Sequence, residues 1–150
     1  MFLKFDGAYL QMNRGDTFVY PLIINQGTEL NFIKYNLEDD DSLYVAIMEP
    51  NQSFEDALIR KKYTSDSQKD EDGNILFILN PIDTEYVETG NYYITVKLRK
   101  INNGIEYVKT LLPLREFIIT GTSKNYDSEN FEVDNTGENE KVVIYEGGIV

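Results

Sequence analysis

Apolar and polar side chains alternate most regularly between residues 92 and 101. Tyr92, Ile94, Val96 and Leu98 alternate there with Tyr93, Thr95, Lys97 and Arg99. A period of two is typical of a β-strand that turns one face toward a core, so we predict a long strand. The Asn102-Asn103-Gly104 run supplies a tight turn, because Asn-Gly tolerates positive φ angles. Residues 105–112 are therefore predicted to return as an antiparallel strand.

Shorter runs of β-forming residues occupy most of the chain before position 120. Residues 17–24 form one such run, and Pro21 within it predicts an edge or a bend, since proline cannot donate to a ladder. Residues 42–48 are apolar on both faces, which predicts a central strand. Residues 54–63 fit two interpretations, and we favour a short helix or bend that runs into a strand. Further short strands are predicted near 1–12, 75–79 and 116–120.

The number and spacing of these runs predict an all-β fold. We count seven or eight strands and no convincing long helix, which is typical of a β-sandwich. We therefore predict an immunoglobulin-like antiparallel β-sandwich over residues 1–120. Residues 25–41 read as looser chain between two strands.

The run Glu88-Thr89-Gly90-Asn91-Tyr92 predicts the corner at the start of the long strand. In immunoglobulin-like sandwiches, a tyrosine hydroxyl at this place bonds back to the chain just upstream and fixes the turn. Gly90 and Tyr92 are the residues that we assign to this structural corner. Antibody domains carry a cysteine two residues after the tyrosine, whereas this chain has Ile94, so the predicted sandwich packs without a disulfide.

The composition changes at Gly121. Residues 121–150 contain seven acidic residues and two lysines, and they are mostly polar until a short apolar cluster near the end. We interpret this segment as an extended acidic C-terminal arm. It is either a solvated tail or an arm whose cluster adds a strand to the sheet of another subunit. The predicted docking residues are Val142, Val143, Ile144 and Tyr145.

Composition narrows the possible chemistry. The chain has no histidine and no cysteine, which excludes Ser-His triads, thiol nucleophiles and thiolate metal sites. Its formal net charge of −12 repels nucleic acid and anionic membranes. We therefore predict no catalytic residues, no cofactor and no resident metal, and neither nucleic acid nor membrane as a partner.

Two acidic loops are the candidate cation sites. Glu38-Asp39-Asp40-Asp41 places four carboxylates together, and Asp70-Glu71-Asp72-Gly73-Asn74 resembles part of a calcium loop. The second loop lacks the bidentate glutamate of an EF-hand, because Leu79 stands in its place. Both loops are predicted to be solvated. The alternatives are a calcium or magnesium site or a patch that steers a basic partner at Asp39–Asp41, and a calcium site at Asp70–Asp72.

Two short motifs carry less weight. Arg14-Gly15-Asp16 spells an integrin-type tripeptide, but it stands where a turn is needed before a strand. Residues 60–62 form the tightest basic cluster, which is too small for nucleic-acid binding. We expect this cluster to border an acidic neighbour, either the loop at 38–41 or another subunit.

Several spaced motifs resemble a β-sandwich of tailed-bacteriophage virion proteins, which occurs in upper baseplate proteins and in related tail or capsid-decoration modules. The matching features are Gly15-Asp16-Thr17, a corner from Asp83-Thr84 to Gly90-Asn91-Tyr92, and a last strand that ends in Phe117-Ile118-Ile119. The resemblance covers about residues 15–119. It implies a non-enzymatic protein that occupies defined positions in a symmetric particle. The chain departs from the baseplate pattern in ending with the arm instead of continuing into further domains.

The leading hypothesis is thus a virion structural protein, assembled in the host cytoplasm, whose partners are other virion proteins. The alternative is a soluble module that binds a carbohydrate or a surface ligand, with or without calcium. An enzyme that uses two carboxylates is a third hypothesis, which needs a pocket that the sequence does not reveal.

Overall fold

The computed structural model describes residues 1–121, 131–133 and 142–144, and the chain is predominantly β. Its longest element is the predicted hairpin, formed by β9 (Gly90–Asn102) and β10 (Ile105–Thr120). Asn103 and Gly104 have φ angles of 52° and 75°, as a two-residue hairpin turn requires. The prediction of this hairpin from residues 92–112 is confirmed.

The hairpin forms the centre of a five-stranded sheet with the order β2-β10-β9-β6-β7. Its other strands are β2 (Tyr9–Asn13), β6 (Ser42–Met48) and β7 (Ile59–Tyr63). β6 lies between β9 and β7 and is almost wholly buried, as the apolar character of both its faces predicted. A 3₁₀ turn at Phe54–Asp56 leads into β7, which confirms the favoured interpretation of residues 54–63.

One pairing in this sheet corrects the prediction of an antiparallel fold. β2 runs parallel to the end of β10, with Tyr9 opposite Glu116 and Asn13 opposite Thr120. The two strands are far apart in sequence, so no tight turn dictates their relative direction. The sheet is therefore mixed.

Two smaller sheets complete the described fold. β3 (Phe18–Leu22) pairs antiparallel with β8 (Ile75–Leu79), and a short α1 (Pro81–Thr84) follows β8. The third sheet has the order β1-β4-β5, with β1 (Phe2–Leu3), β4 (Ile24–Thr28) and β5 (Asn31–Lys34). Residues 1–121 thus contain ten strands, more than the seven or eight predicted.

The additional strands arise mainly in the segment predicted to be loose. β4 and β5 form a hairpin, and all four residues of β5 are exposed. Because β5 has no buried face, its sequence shows no alternation of apolar and polar residues. Gly27 has a φ of 108°, and a Cβ at this position would lie 2.4 Å from the Asn31 carbonyl oxygen. Glycine therefore permits the close approach of the two strands.

Aromatic rings join the layers of the core. The ring of Phe18 in β3 makes edge contacts with Phe77 in β8 and Phe117 in β10, at centroid distances of 6.2 and 5.5 Å. Phe77 and Phe117 are fully buried. The β3–β8 pair thus packs on the inner face of the five-stranded sheet, and edge-to-face aromatic contacts of this kind stabilise a core beyond simple burial.

The corner before β9 is tied to the turn before β3. The Tyr92 hydroxyl donates to the Glu88 carbonyl oxygen, which is the bond that defines a tyrosine corner. Upstream, the buried Thr84 hydroxyl accepts a hydrogen bond of 2.8 Å from the Gly15 N–H. Arg14 donates to the Val87 carbonyl oxygen at 3.1 Å. The Arg14-Gly15-Asp16 turn is therefore held against the corner.

β11 (Phe131–Val133) and β12 (Val142–Ile144) pair antiparallel with each other, and neither pairs with a strand of residues 1–121. Val142, Val143 and Ile144 thus lie in a strand, whereas Tyr145 lies outside the described residues. The docking role of these four residues stays a prediction, as does the extended form of the arm.

We predict that Tyr92→Phe lowers the free energy of unfolding by about 0.5–1.5 kcal/mol, because the Glu88 carbonyl loses its hydroxyl donor. Tyr93→Phe is the matched control, since its half-buried hydroxyl makes no hydrogen bond within residues 1–121. Urea denaturation of both variants is the measurement. Equal stability of the two variants would contradict an energetic role for the corner bond.

Candidate docking surface

The acidic loop at 38–41 turns one carboxylate inward. Asp41 is only 3% exposed, and its Oδ2 accepts hydrogen bonds from the Tyr35 hydroxyl and from the Glu38 N–H. Lys100 Nζ donates to the Tyr35 hydroxyl oxygen and lies 3.5 Å from Asp41 Oδ1. The carboxylate at the end of this loop is therefore engaged by protein donors.

These contacts shift two pKa values upward. Burial is the main cause that raises the pKa of the Tyr35 hydroxyl, and its hydrogen bond to Asp41 adds to the shift. Burial by itself lowers the pKa of Lys100. The hydrogen bond with Tyr35 and the charge of Asp41 outweigh that effect, so the pKa of Lys100 is raised. The cluster thus holds its protons firmly and stabilises the junction between β9 and the loop before β6.

The second acidic loop also uses its carboxylate locally. Asp70 Oδ1 accepts from the backbone N–H groups of Asp72 and Asn74, and Oδ2 accepts from the Asn74 side chain. The backbone bond from Asn74 is the main cause that lowers the pKa of Asp70. Among the residues that the structure describes, no group of three or more acidic side chains is arranged to hold a metal ion.

The basic cluster at 60–62 is divided between two faces of its sheet. Lys61 turns toward the interior side and forms an ion pair of 3.0 Å with Asp83, whereas Arg60 and Lys62 are exposed on the opposite side. The acidic neighbour of Lys61 is therefore Asp83, and the expectation that this cluster borders the loop at 38–41 was wrong. Strand alternation separates residues that are adjacent in sequence.

The exposed part of β10 offers an unpaired strand edge. β2 pairs with β10 only from Glu116 onward, and within residues 1–121 no strand pairs with Ile105–Thr110 on the side away from β9. Hydrogen-bonded and non-bonded pairs alternate along an antiparallel ladder. Counting from the turn, the N–H and C=O groups of Glu106, Val108 and Thr110 point to this open side.

The same stretch exposes apolar side chains. Ile105, Tyr107 and Val108 are each more than half exposed, although they belong to a long regular strand. An exposed strand edge with apolar side chains is a template for pairing with another chain. The turn at Asn102-Asn103-Gly104 predicted a returning strand at 105–112, but the sequence carried no signal that one edge of that strand is open.

A cleft of about 320 Å³ lies beside the middle of β10. Phe2, Phe5 and Phe32 line it together with Lys4 and Arg115, and the rings of Phe2 and Phe32 meet edge to face at 6.0 Å. The cleft separates the β1-β4-β5 sheet from the bulged segment of β10 around Leu111–Pro113.

Comparison with known proteins does not identify a family for this chain. No protein-family model matches the chain, and a search of curated proteins finds no match. Within the described part of the chain, no helix has the length and apolar character needed to cross a membrane.

We predict that Tyr35→Phe lowers the free energy of unfolding by about 1–3 kcal/mol at neutral pH, because the buried Asp41 carboxylate loses a hydroxyl donor. Since folding raises the pKa values of Tyr35 and Lys100, their contribution is complete below about pH 10 and is lost as the pH rises through the folded-state values. The variant should therefore lose less stability than the wild type in alkaline solution.

The measurement is denaturant unfolding between about pH 7 and about pH 11, with the exposed Tyr107→Phe as control. The variant should still lose some stability at alkaline pH, because burial also raises the pKa values of Tyr20, Tyr63 and Tyr92. If Tyr35→Phe lost as much stability at alkaline pH as the wild type does, the stabilising role of the Tyr35 hydroxyl would be contradicted.

Proposed function

We propose that this protein is a non-enzymatic structural component of a tailed-bacteriophage particle. It docks on neighbouring subunits through the open edge of β10 and through its C-terminal arm. The observation that carries this proposal is the open edge at Ile105–Thr110, which combines free backbone groups with exposed apolar side chains. An extended segment that adds to such an edge gains backbone hydrogen bonds and contacts at alternate side chains.

The contrast with β7 supports a specific role for this edge. β7 is the outer strand on the opposite side of the five-stranded sheet from β2 and β10, and it carries Arg60, Lys61 and Lys62. Charged side chains on an edge strand oppose unwanted pairing. The open part of β10 exposes Ile105, Tyr107 and Val108 alongside the charged Glu106 and Lys109, so its edge is more apolar than that of β7.

The pairing of the strands supports an immunoglobulin-like sandwich. β3 pairs with β8, β6 pairs with β9, and β9 pairs with β10. These pairs correspond to strands B with E, C with F, and F with G of the immunoglobulin fold. The additional strand β7 beside β6 corresponds to the strand C′ of variable-type domains, and the tyrosine corner precedes the strand that corresponds to F.

The arm supplies the second docking element of this proposal. Val142–Ile144 have the β-forming character that strand addition needs, and β12 pairs with β11 along one edge only among the described strands. Together with Tyr145, these residues are proposed to contact a neighbouring virion subunit. A location in the virion, after assembly in the host cytoplasm, is consistent with a chain that contains no cysteine.

The non-enzymatic part of the proposal draws support from how the polar groups are used. The buried Asp41, Tyr35 and Lys100 bind one another, and Asp70 closes its own loop. In these two acidic loops, the carboxylates of Asp41 and Asp70 are thus engaged in contacts within the fold.

We predict that Val108→Pro abolishes incorporation of the tagged chain into purified phage particles. Proline removes the Val108 N–H, which faces the open edge, and leaves the ladder with β9 intact. Val108→Thr is the matched control, because it keeps the N–H and a β-branched side chain of similar size. Particle incorporation is measured by immunoblotting of gradient-purified virions.

A chain that ends at Gly121 tests the arm in the same assay, and we expect it to fold but not to be incorporated. Circular dichroism checks that each variant keeps its strand content. Normal incorporation of Val108→Pro would eliminate the open edge as a docking element. Normal incorporation of the truncated chain would do the same for the arm.

The cleft lined by Phe2, Phe5 and Phe32 favours a second candidate function, a soluble module that binds a carbohydrate or a surface ligand.

We predict that thermal melting is the same in calcium chloride and in chelator, because Asp41 and Asp70 already accept hydrogen bonds from the protein. A higher melting temperature with calcium, or with a soluble glycan that Phe32→Ala no longer recognises, would favour the second candidate.

A further inference from the structure

The part of the outer sheet face that lies over β7, β6 and β9 is basic, whereas Glu106 and Glu116 lie on the same face at β10, and the whole chain carries a net charge of −12. Two basic residues lie on β7 and two on β9, and two aromatic rings lie among them. We call this surface the basic face, and it consists of Arg60, Lys62, Lys97, Arg99, Tyr44 and Phe54.

The register of the strands sets the spacing of these charges. Lys62 and Lys97 lie in one row on either side of Tyr44, which places their strands about 10 Å apart. Arg60 and Lys62 are two residues apart on β7, and Lys97 and Arg99 are two residues apart on β9. Each such pair is separated by about 6.6–6.8 Å along its strand.

Most of these cations have no acidic partner in the fold. Arg99 forms an ion pair of 3.2 Å with Glu106, but among residues 1–121 no carboxylate forms an ion pair with Arg60, Lys62 or Lys97. Lys62 Nζ lies 5.8 Å from the centre of the Tyr44 ring, and Lys97 Nζ lies 5.2 Å from that of Phe54. The rings thus hold the ammonium groups on the surface, where they remain available to an anion.

The C-terminal arm has the complementary charge, and its sequence repeats the two-residue separation of charges. Residues 121–150 carry seven acidic residues against two lysines, a net charge of 2 − 7 = −5. Six of the acidic residues form pairs two positions apart: Asp127 with Glu129, Glu132 with Asp134, and Glu138 with Glu140. In an extended peptide, residues two apart point to the same side at the same repeat of about 6.6–6.8 Å that separates the basic pairs.

We propose that the basic face binds the acidic C-terminal arm of a second copy of this chain. This inference rests on the proposed function in taking the arm as a docking element, and it adds the surface that receives the arm. A second copy is the chosen source because it brings the acidic segment whose charge complements this face, and association that depends on protein concentration separates it from binding of the chain's own arm. Nucleic acid is disfavoured because the net charge of the chain repels a long polyanion.

The test measures self-association of the full chain by sedimentation velocity at about 20 mM and about 500 mM salt, where screening differs strongly. We expect the wild type to associate at low salt and to dissociate at high salt. Lys62→Glu/Lys97→Glu should weaken association at least about tenfold, since the acidic pairs then meet like charges. The neutral Lys62→Gln/Lys97→Gln double variant should show a smaller loss with less disturbance of the fold.

Lys109→Glu is the matched control, because Lys109 is exposed on the neighbouring strand β10 but points to the opposite face of the sheet. Charge reversal in the arm, Glu138→Lys/Glu140→Lys, should weaken association in the same way. Mixing this variant with Lys62→Glu/Lys97→Glu should restore association, because each arm then meets a face of opposite charge on the other variant, and combining all four changes in one chain should restore it as well. That restoration must depend on protein concentration if the arm acts between copies.

Three outcomes would overturn the inference. They are a wild type that is monomeric at low salt, association that the Lys62→Glu/Lys97→Glu variant retains, and a four-change chain that does not recover. Particle incorporation of the same variants separates this inference from the proposed function. If Val108→Pro fails to be incorporated but Lys62→Glu/Lys97→Glu is incorporated normally, docking through the open edge of β10 is supported and a role for the basic face in assembly is contradicted.

Discussion

The antiparallel ladder between β9 and β10 is the interaction on which the rest of the structure depends. It places β9 at the centre of the large sheet, between β10 and β6, and it carries Phe117 beneath the Phe18 ring in the core. β10 is longer than its partners, and β2 pairs only with its last five residues. The open edge of β10 is therefore a direct consequence of a long hairpin in a sheet of shorter strands.

Charge is distributed in this fold with little relation to its overall sign. The acidic loops are stabilised from within, by Tyr35 and Lys100 in one case and by backbone N–H groups in the other. Four of the 14 basic residues, in contrast, lie together on the outer face of the large sheet, where aromatic rings contact Lys62 and Lys97. The protein thus carries a positively charged surface although its net charge is negative. Its C-terminal segment is acidic and has the opposite charge to this surface.

Local patterns were sufficient for much of the fold. The hairpin at 92–112, the buried strand at 42–48 and the short turn before β7 were predicted because each rests on a periodicity or a turn residue within a few positions. The β4–β5 hairpin was missed because its second strand is exposed on both faces and has no alternation to detect. The parallel pairing of β2 with β10 was missed because it joins segments more than one hundred residues apart, where no turn sets direction.

By itself, the sequence determined that the chain is all-β, that Asn103 and Gly104 reverse it, and that it contains no histidine or cysteine chemistry, since these are properties of single residues and short repeats. Tertiary structure alone decided which strand edge stays open, that Lys61 and Lys62 face opposite ways, and that Arg60, Lys62, Lys97 and Arg99 share one surface. These features depend on which distant strands become neighbours and in what register. That choice is made by the packing of the whole core.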